Sequence, residues 1–157
     1  MITLFVFSIL VMLIGGVFVS YLVLQRRAAN LQQVQENASY VLEALTKEIR
    51  VSQITSPETA NCASAPATSL NFTHPVNGVT SYTLSGTDLQ KTVSGITVKV
   101  NSSPIQFSSL RFCVKGNVGG DHLQPRVTIF ATIQSANPTQ PAKMDIQTTV
   151  SVRALSD

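Results

Sequence analysis

The side chains that could do chemistry are few and widely spaced in this chain of 157 residues. There are two cysteines, Cys62 and Cys113, and two histidines, His74 and His122. His74 stands beside a proline and His122 follows a Gly-Gly-Asp sequence, so neither belongs to a recognisable ligand or nucleophile pattern. Neighbouring side chains on a strand point in opposite directions, and the Asp-His pair is therefore more typical of a solvated loop than of a catalytic dyad.

The acidic residues are as scattered as the histidines. The glutamates belong to the predicted helix and its exit and the aspartates to turns or strand ends: Glu36, Glu43, Glu48 and Glu58, then Asp88, Asp121, Asp145 and Asp157. No pair is placed for general acid and base roles. Residues 117–121 offer oxygen atoms but lack the spaced acids of a calcium site. We predict no catalytic residues, no metal and no cofactor.

The two cysteines suggest a structural role. Cys62 lies in the loop after the predicted helix and Cys113 in an apolar strand, which is compatible with one disulfide joining loop to sheet. They lack the CxxC spacing of redox or zinc sites. The alternative is two reduced, partly buried thiols. If loop closure is counted as chain entropy, a bridge across about 50 residues contributes roughly 4 kcal/mol.

The first 24 residues contain no charged side chain. As an α-helix they span roughly 36 Å, slightly more than the ~30 Å hydrocarbon layer of a bilayer. They lack the basic flank, short apolar region and cleavage site of a secretory signal. We therefore predict one membrane span.

The helical pattern continues beyond this apolar run. Polar residues fill one face of this stretch, and apolar residues recur on the other at steps of three and four. The apolar residues are Leu31, Val34, Ala38, Val41, Leu42, Leu45 and Ile49. No proline occurs before Pro57. The sequence therefore predicts one helix of roughly 50 residues, apolar all round in its first half and one-sided in its second.

After Ile54 the chain is rich in Ser, Thr, Gly and β-branched residues. Seven strands are predicted, at 69–73, 80–84, 89–92, 96–100, 110–115, 126–133 and 145–153. Their turn signals include Ser94-Gly95 and Gly119-Gly120. The expected class is α+β, with the long helix packed on an antiparallel sheet. Residues 1–25 form the transmembrane half, and residues 26–157 form the outer domain, with helix at 26–53 and sheet at 54–157.

The chain resembles the type IV pilin and pseudopilin family. The match rests on the apolar block FSILVMLIGGVF at residues 7–18, the helix QENASYVLEALTKEIR at 35–50 and, more softly, the strand QTTVSVR at 147–153. The resemblance implies that the apolar helix is stored in the membrane and later bundles in a filament core. The implied packing residues are Phe5, Phe7, Leu10, Leu13, Gly15, Gly16, Val17 and Phe18. The implied helix-sheet core is Leu31, Val34, Val41, Leu42, Leu45 and Ile49.

The sequence departs from the family at its start. The family carries a basic leader ending in glycine, cut before a Phe-Thr-Leu-Ile-Glu type sequence, and neither is present here. We expect the family's mature start to lie several residues before Met1, so no residue is assigned to processing. Arg26 and Arg27 alone would hold the C-terminal domain in the cytoplasm, and a basic leader would reverse that balance. We expect the domain to be extracytoplasmic.

The resemblance implies a non-catalytic subunit, a minor pilin or pseudopilin of a type IV pilus, a type II secretion pseudopilus or a DNA-uptake filament. Its implied partners are other pilin or pseudopilin subunits, inner-membrane assembly machinery and membrane lipid. The alternative is a single-pass anchored binding domain that never polymerises.

Nucleic acid is a partner that the residues favour only weakly. The net charge is +3, but the basic residues are dispersed along the chain. Binding to phosphates requires several cations on one surface. Lys91, Lys99, Arg111 and Lys115 would converge if their strands pair, but a solvated sheet face explains them more simply.

Overall fold

Helix α1 runs without a break from Ile2 to Val51 in the computed structural model, which describes residues 2–118, 123–137 and 141–153. The prediction of one long N-terminal helix is confirmed. The helix ends where the Ser52 amide donates to the Ile49 carbonyl over 3.2 Å and the Ser52 hydroxyl donates to the Glu48 carbonyl over 2.6 Å. These bonds satisfy carbonyls that would otherwise lack a partner in the last turn.

The described strands form two antiparallel sheets. The first has five strands in the order β1-β2-β3-β4-β5, with β1 Gln53–Ile54, β2 Ser69–His74, β3 Gly78–Ser85, β4 Asp88–Val93 and β5 Ile96–Lys99. The second has the order β6-β7-β8, with β6 Ile105–Lys115, β7 Arg126–Ser135 and β8 Lys143–Ser151. All strand neighbours are also neighbours in sequence, so each sheet is built from successive antiparallel pairs.

The expectation of a single sheet needs correction, because the chain leaves the first sheet after β5. The side chain of Asn101 is buried at this corner, where its Oδ1 accepts from the Leu89 amide over 2.8 Å and its Nδ2 donates to the Ile105 carbonyl over 2.9 Å. These bonds satisfy backbone groups at the bend. Strand β6 then pairs with β7 and contributes only single bonds to the first sheet, such as Phe107 amide to Thr87 carbonyl.

Each predicted strand overlaps an observed one, but β1 and residues 105–109 of β6 were not predicted. Strand β6 contains a bulge between Phe107 and Ser109. One extra residue shifts the alternation, so that Ile105 and Phe107 are buried before the bulge and Leu110 after it. A strict two-residue period therefore finds only the second half of this strand. The predicted turn at Gly119-Gly120 lies outside the described residues.

The predicted turn at Ser94-Gly95 has a backbone that explains its sequence. It joins β4 to β5 through the pair Val93 and Ile96, with φ of 48° at Ser94 and 90° at Gly95. Two-residue hairpins prefer positive φ at both central positions because that twist matches the flanking strands. Glycine adopts this conformation without a steric cost.

The core lies between the second half of α1 and the inner faces of both sheets. Helix α1 packs on β7 and β8, and also on β2 and β6. Its buried residues are Val34, Ala38, Val41, Leu42, Leu45 and Ile49. They meet four large aromatic side chains that are also buried, namely Phe72, Tyr82, Phe107 and Phe112.

The prediction that Leu31 belongs to the buried core is wrong, because its side chain is 46% exposed. The sheets end near the level of Val34, the first buried residue of α1. The loop after β5 meets the helix at this end, where the Ser102 hydroxyl donates to Asn37 Oδ1 over 2.8 Å. Leu31 therefore continues the apolar stripe beyond the last strand that could cover it.

We expect Leu45→Ala to lower the free energy of unfolding by about 2–5 kcal/mol, because it removes buried methyl groups and leaves a cavity. Urea unfolding of the detergent-solubilised chain, followed by tyrosine fluorescence, would measure this. Leu31→Ala is the matched control, since the same atoms are removed from a half-exposed site. Equal losses in the two variants would contradict the described depth of the core.

Candidate functional site: helix α1 and its junction with the sheets

The first half of α1 packs against nothing in the described chain. Its large apolar side chains are all exposed, and the predicted packing residues Phe5, Phe7, Leu10, Leu13, Val17 and Phe18 are among them. By length and composition this helix could cross a membrane, and none of its most apolar window is buried. An apolar surface of this size marks a site of contact with lipid or with another protein.

Gly15 and Gly16 lie in the middle of this exposed half. A Cβ atom built at either position meets nothing within 4 Å, so the fold of the single chain does not require glycine there. The Gly16 carbonyl accepts an additional bond from the Ser20 hydroxyl over 3.0 Å. Glycine costs about 1 kcal/mol of helix propensity relative to alanine in water. The pair is therefore a local reduction in helix stability within an otherwise regular helix.

A polar cluster that sequence reasoning missed joins α1 to the first sheet. Glu48 accepts a hydrogen bond from the Tyr82 hydroxyl over 2.8 Å and forms an ion pair with Lys91. Lys91 also lies 5.9 Å from the centre of the Tyr82 ring, and that ring stacks on Phe72. Glu48 is at the edge of the buried stripe, three residues after Leu45. This position in the sequence was the one indication that its carboxylate would contact the sheet. The cluster ties the helix to β3 and β4.

Burial is the main cause that raises the pKa of Tyr82 above its ordinary value, and the hydrogen bond to Glu48 adds to it. Ionising the phenol would place a second negative charge beside the Glu48 carboxylate at a site that is partly buried from solvent. The neutral phenol instead donates a hydrogen bond to that carboxylate. The cluster thus links the helix to the first sheet through one hydrogen bond and one ion pair.

The loop between β1 and β2 is fastened along the edge of β6. Cys62 and Cys113 form a disulfide with a sequence separation of 51, which confirms the predicted bridge. Ala67 and Phe112 exchange two backbone hydrogen bonds of 2.8 Å. Thr59 donates its amide to the Val114 carbonyl and accepts from the Val114 amide. The loop therefore forms a fixed part of the surface.

Three lysines of the sheets form ion pairs within the chain. Lys91 pairs with Glu48, Lys99 with Asp88 over 2.8 Å, and Lys115 with Glu58 over 3.0 Å. The hydrogen bond from Lys99 is the main cause that lowers the pKa of the Asp88 carboxyl. Of the four basic residues considered for phosphate binding, Lys91, Lys99, Arg111 and Lys115, the three lysines are thus in ion pairs. Such pairs leave little net charge for binding phosphates.

The remaining candidates have local structural roles. His74 Nδ1 accepts the amides of Val76 and Asn77, both over 3.2 Å, and so closes the turn between β2 and β3. Asn117 donates to the carbonyls of Ile54 and Ser56. Among the described residues, no three His, Cys, Asp or Glu side chains lie close enough to hold a metal ion. His122 and its Gly-Gly-Asp neighbours lie outside the described residues.

Comparison with known proteins adds no relative to this description. The chain has no significant match to a protein-family model, to a curated protein or to a solved structure.

The Tyr82 environment predicts that stability decreases at alkaline pH. Because folding raises the pKa of Tyr82, its phenol ionises in the unfolded chain before it ionises in the folded one. The unfolded state is therefore favoured increasingly as the pH rises above about 10. Measuring the free energy of unfolding from pH 8 to 11 should give a clear decline in the wild type and a smaller decline in Tyr82→Phe. Tyr40→Phe, at an exposed tyrosine, should follow the wild type. If Tyr82→Phe declines as steeply as the wild type, this explanation fails.

The fastened loop predicts a second loss of stability. Replacing both cysteines in Cys62→Ser/Cys113→Ser should lower the free energy of unfolding by about 2–4 kcal/mol, since a closed loop of about 50 residues limits the unfolded chain. Urea unfolding without reductant measures this loss. Adding reductant to the wild type should lower its stability to that of the double variant, whereas it should not affect the double variant. An unchanged midpoint on reduction would contradict a stabilising role for the bridge.

Proposed function

We propose that the protein is a non-catalytic structural subunit, a minor pilin or pseudopilin, which is stored in a membrane and assembled into a filament through α1. One observation carries the proposal. A single unbroken helix has an exposed, uncharged apolar half and a half that is buried one-sidedly under two sheets. The first half requires lipid or other helices around it, and the second half carries a folded domain.

The continuity of the helix supports this use. No bend, proline or loop separates the apolar half from the half that holds the domain. Six buried side chains, the Glu48 cluster and the Ser102 bond fix the domain to the helix. A helix that moves along its axis would therefore carry the domain with it as one body. This is the mechanical property that a subunit needs when it passes from a membrane into a filament.

The disulfide supports an extracytoplasmic position for the domain. Disulfides persist in oxidising compartments such as the periplasm and cell surface and are rare in the cytosol. Cys113 is buried and Cys62 partly buried. The bridge also fixes the longest connection between described strands on the domain surface. An external domain would gain resistance to unfolding and proteolysis from such a bridge.

Three carboxylates of the domain support a structural role. Glu48, Glu58 and Asp88 are engaged in ion pairs that link the helix, the loop and the sheets. We propose that the surface chemistry of the domain serves contacts with other subunits and with assembly machinery. The competing function is a membrane-anchored binding domain that never polymerises, and it differs in where the mature chain is found.

The test is to fractionate cells that assemble filaments and to detect the chain with an antibody against the sheet domain. We expect it in the inner membrane and in the sheared filament or pseudopilus fraction. Val17→Asp should reduce both populations, because a carboxylate at the centre of a membrane helix costs about 2.5–3.5 kcal/mol.

Gln33→Asp is the matched control for that test, since it adds the same charge to an exposed position outside the apolar half. It should leave both populations close to the wild type. A wild-type chain that stays wholly in the membrane, in cells that do produce filaments, would favour the anchored binding domain.

A further inference from the structure

The ion pairs in the described part of the chain all use lysine. They are Lys47 with Glu43, Lys91 with Glu48, Lys99 with Asp88 and Lys115 with Glu58. The six arginines all belong to the described residues, and none of them forms an ion pair there. The planar guanidinium group presents a fork of N–H donors that matches the oxygens of phosphate and carboxylate groups. These side chains can therefore bind an anion that comes from outside the chain.

Three arginines that are far apart in sequence lie together at one end of the domain. Arg50 is in the last turn of α1, Arg126 begins β7, and Arg153 follows the end of β8. The Arg153 amide donates to the Arg50 carbonyl over 3.0 Å. Arg126 is paired in register with Ser151, two residues before Arg153, and such diagonal neighbours lie about 7–8 Å apart. The basic residues are thus dispersed along the sequence, but folding groups these three.

Arg126 and Arg153 lie on the face of the second sheet that is turned away from α1. At the end of β8, Ser151 is exposed and Val152 is fully buried, so the alternation of the strand leaves Arg153 exposed again. Arg126 is exposed at the start of β7, and Arg50 is exposed at the end of the helix. All three side chains remain accessible when lipid or other helices cover the apolar half of α1.

A cavity of about 330 Å³ lies beside these arginines. Its lining residues are Gly116, Leu123, Gln124, Arg126 and Ser151. Gly116 has a φ of 69°, and a Cβ atom at this position would meet the Gln124 carbonyl oxygen at 3.0 Å. The Gln124 side chain is held in place because its Nε2 donates to the Val152 carbonyl over 2.6 Å. The cavity therefore combines a guanidinium group, a hydroxyl and an amide, which are groups that proteins use to contact phosphate oxygens.

The position of the arginines along α1 separates them from the membrane that would hold the apolar half. Arg50 lies 26 residues beyond Leu24, the last residue of the uncharged run. At 1.5 Å per residue this separation is about 39 Å. Lipid headgroups at the end of the apolar half are therefore too far away to occupy the site.

The surroundings of the arginines also differ from the centre of a protein–protein interface. Such a centre is usually built from large apolar or aromatic side chains. Around Arg126 and Arg153 the neighbours are mostly polar, apart from the exposed Leu123. The polar neighbours are Gln124, Ser151 and the hydrogen-bonded pair Thr128 and Thr149. A polar surface with several cations is the kind that binds a chain of phosphates.

We propose that this end of the domain binds the phosphate backbone of a nucleic acid, with Arg50, Arg126 and Arg153 each neutralising one phosphate. Lys115 lies opposite Arg126 on β6 but is not counted, because it pairs with Glu58. Phosphate contacts carry no base information, so the site binds DNA without regard to sequence. This inference goes beyond the proposed function, because it concerns the other end of α1 and requires no assembly of subunits.

Fluorescence anisotropy of a short labelled DNA duplex, titrated with the full chain in a neutral detergent, tests the site. The full chain also contains Asp121 and Asp157, which lie outside the described residues. If three phosphates are neutralised, the logarithm of the affinity should fall with the logarithm of salt concentration with a slope of about −2.7. The affinity should then fall roughly forty-fold between about 50 and 200 mM salt.

Single substitutions test the three contacts separately. Arg50→Gln, Arg126→Gln and Arg153→Gln should each reduce the steepness of the salt dependence by about 0.9. Arg126→Lys keeps the charge and should keep the slope. Because the three side chains are exposed, the urea midpoint of each variant should match that of the wild type.

Lys143→Gln is the matched control, since it removes one exposed positive charge from the other end of β8. This position lies about 27 Å from Ser151 along the strand. The control should leave both the affinity and the slope close to the wild type. An effect of Lys143→Gln equal to that of the arginine variants would mean that net charge alone drives binding, and it would overturn the site. A wild type that does not bind the duplex at low salt would overturn it as well.

A competitor tests the chemistry of the ligand. Poly-glutamate carries carboxylates in place of phosphates, and at equal charge concentration it should displace the labelled duplex much less than unlabelled DNA does. Equal displacement would indicate an acidic protein partner and would overturn the assignment to nucleic acid.

Cell fractionation separates this inference from the proposed function. The triple arginine variant should enter filaments as the wild type does, because the apolar half of α1 is unchanged. If the wild type enters filaments but binds no DNA, this inference fails and the proposed function stands. If it binds DNA as expected but enters no filament, the proposed function fails and this inference stands.

Discussion

One continuous helix, α1, lies in two different environments, and the rest of the structure depends on this constraint. Up to Leu24 its surface is apolar on every side, whereas from Val34 onward only one side is apolar and buried. The sheets cover that one side and end at the level of Val34. The sheets therefore pack on only the second half of α1, and the surface of the first half remains open to lipid or to other helices.

Apolar packing alone would let the helix slide or rotate against the sheets, because dispersion contacts have little directional preference. The Glu48 cluster and the bond from Ser102 to Asn37 add directional contacts, one toward each end of the buried stripe. Glu48 is only partly buried, so its pairing with Lys91 and Tyr82 compensates a limited desolvation cost. These contacts define the axial position of the domain on the helix.

The distribution of pairing among the charges also follows from this architecture. Lys91, Lys99 and Lys115 pair with carboxylates because strands and loops bring distant residues together. Near the middle of α1, where the sheets end, no other described element provides an ion-pair partner for Arg26, Arg27 or Glu36. These three charges thus lie where the domain ends, at the boundary between the buried half and the exposed half. This boundary is also where Leu31 loses its cover.

Most of the architecture could be predicted from the sequence, because periodicity is a local property. The three- and four-residue steps from Val34 to Ile49 predict the helix and its buried side, and alternation predicts most of the strands. The absence of proline before Pro57 predicts that the helix does not break. The disulfide was one of two alternatives, since the spacing of two cysteines alone does not show how close they lie.

Only the tertiary structure decided how these elements meet. The chain leaves the first sheet at Asn101, whose side chain accepts a hydrogen bond from the distant Leu89 amide, and one expected sheet becomes two. The bulge in β6 depends on the pairing of that strand with β7. The exposure of Leu31 depends on where the strands end, and the spacing of apolar residues along the helix does not contain that information. The pairing of Glu48 with Lys91 joins residues 43 positions apart. A sequence determines which side of each element is apolar, but contacts between elements depend on their relative placement, and that placement results from packing the whole chain at once.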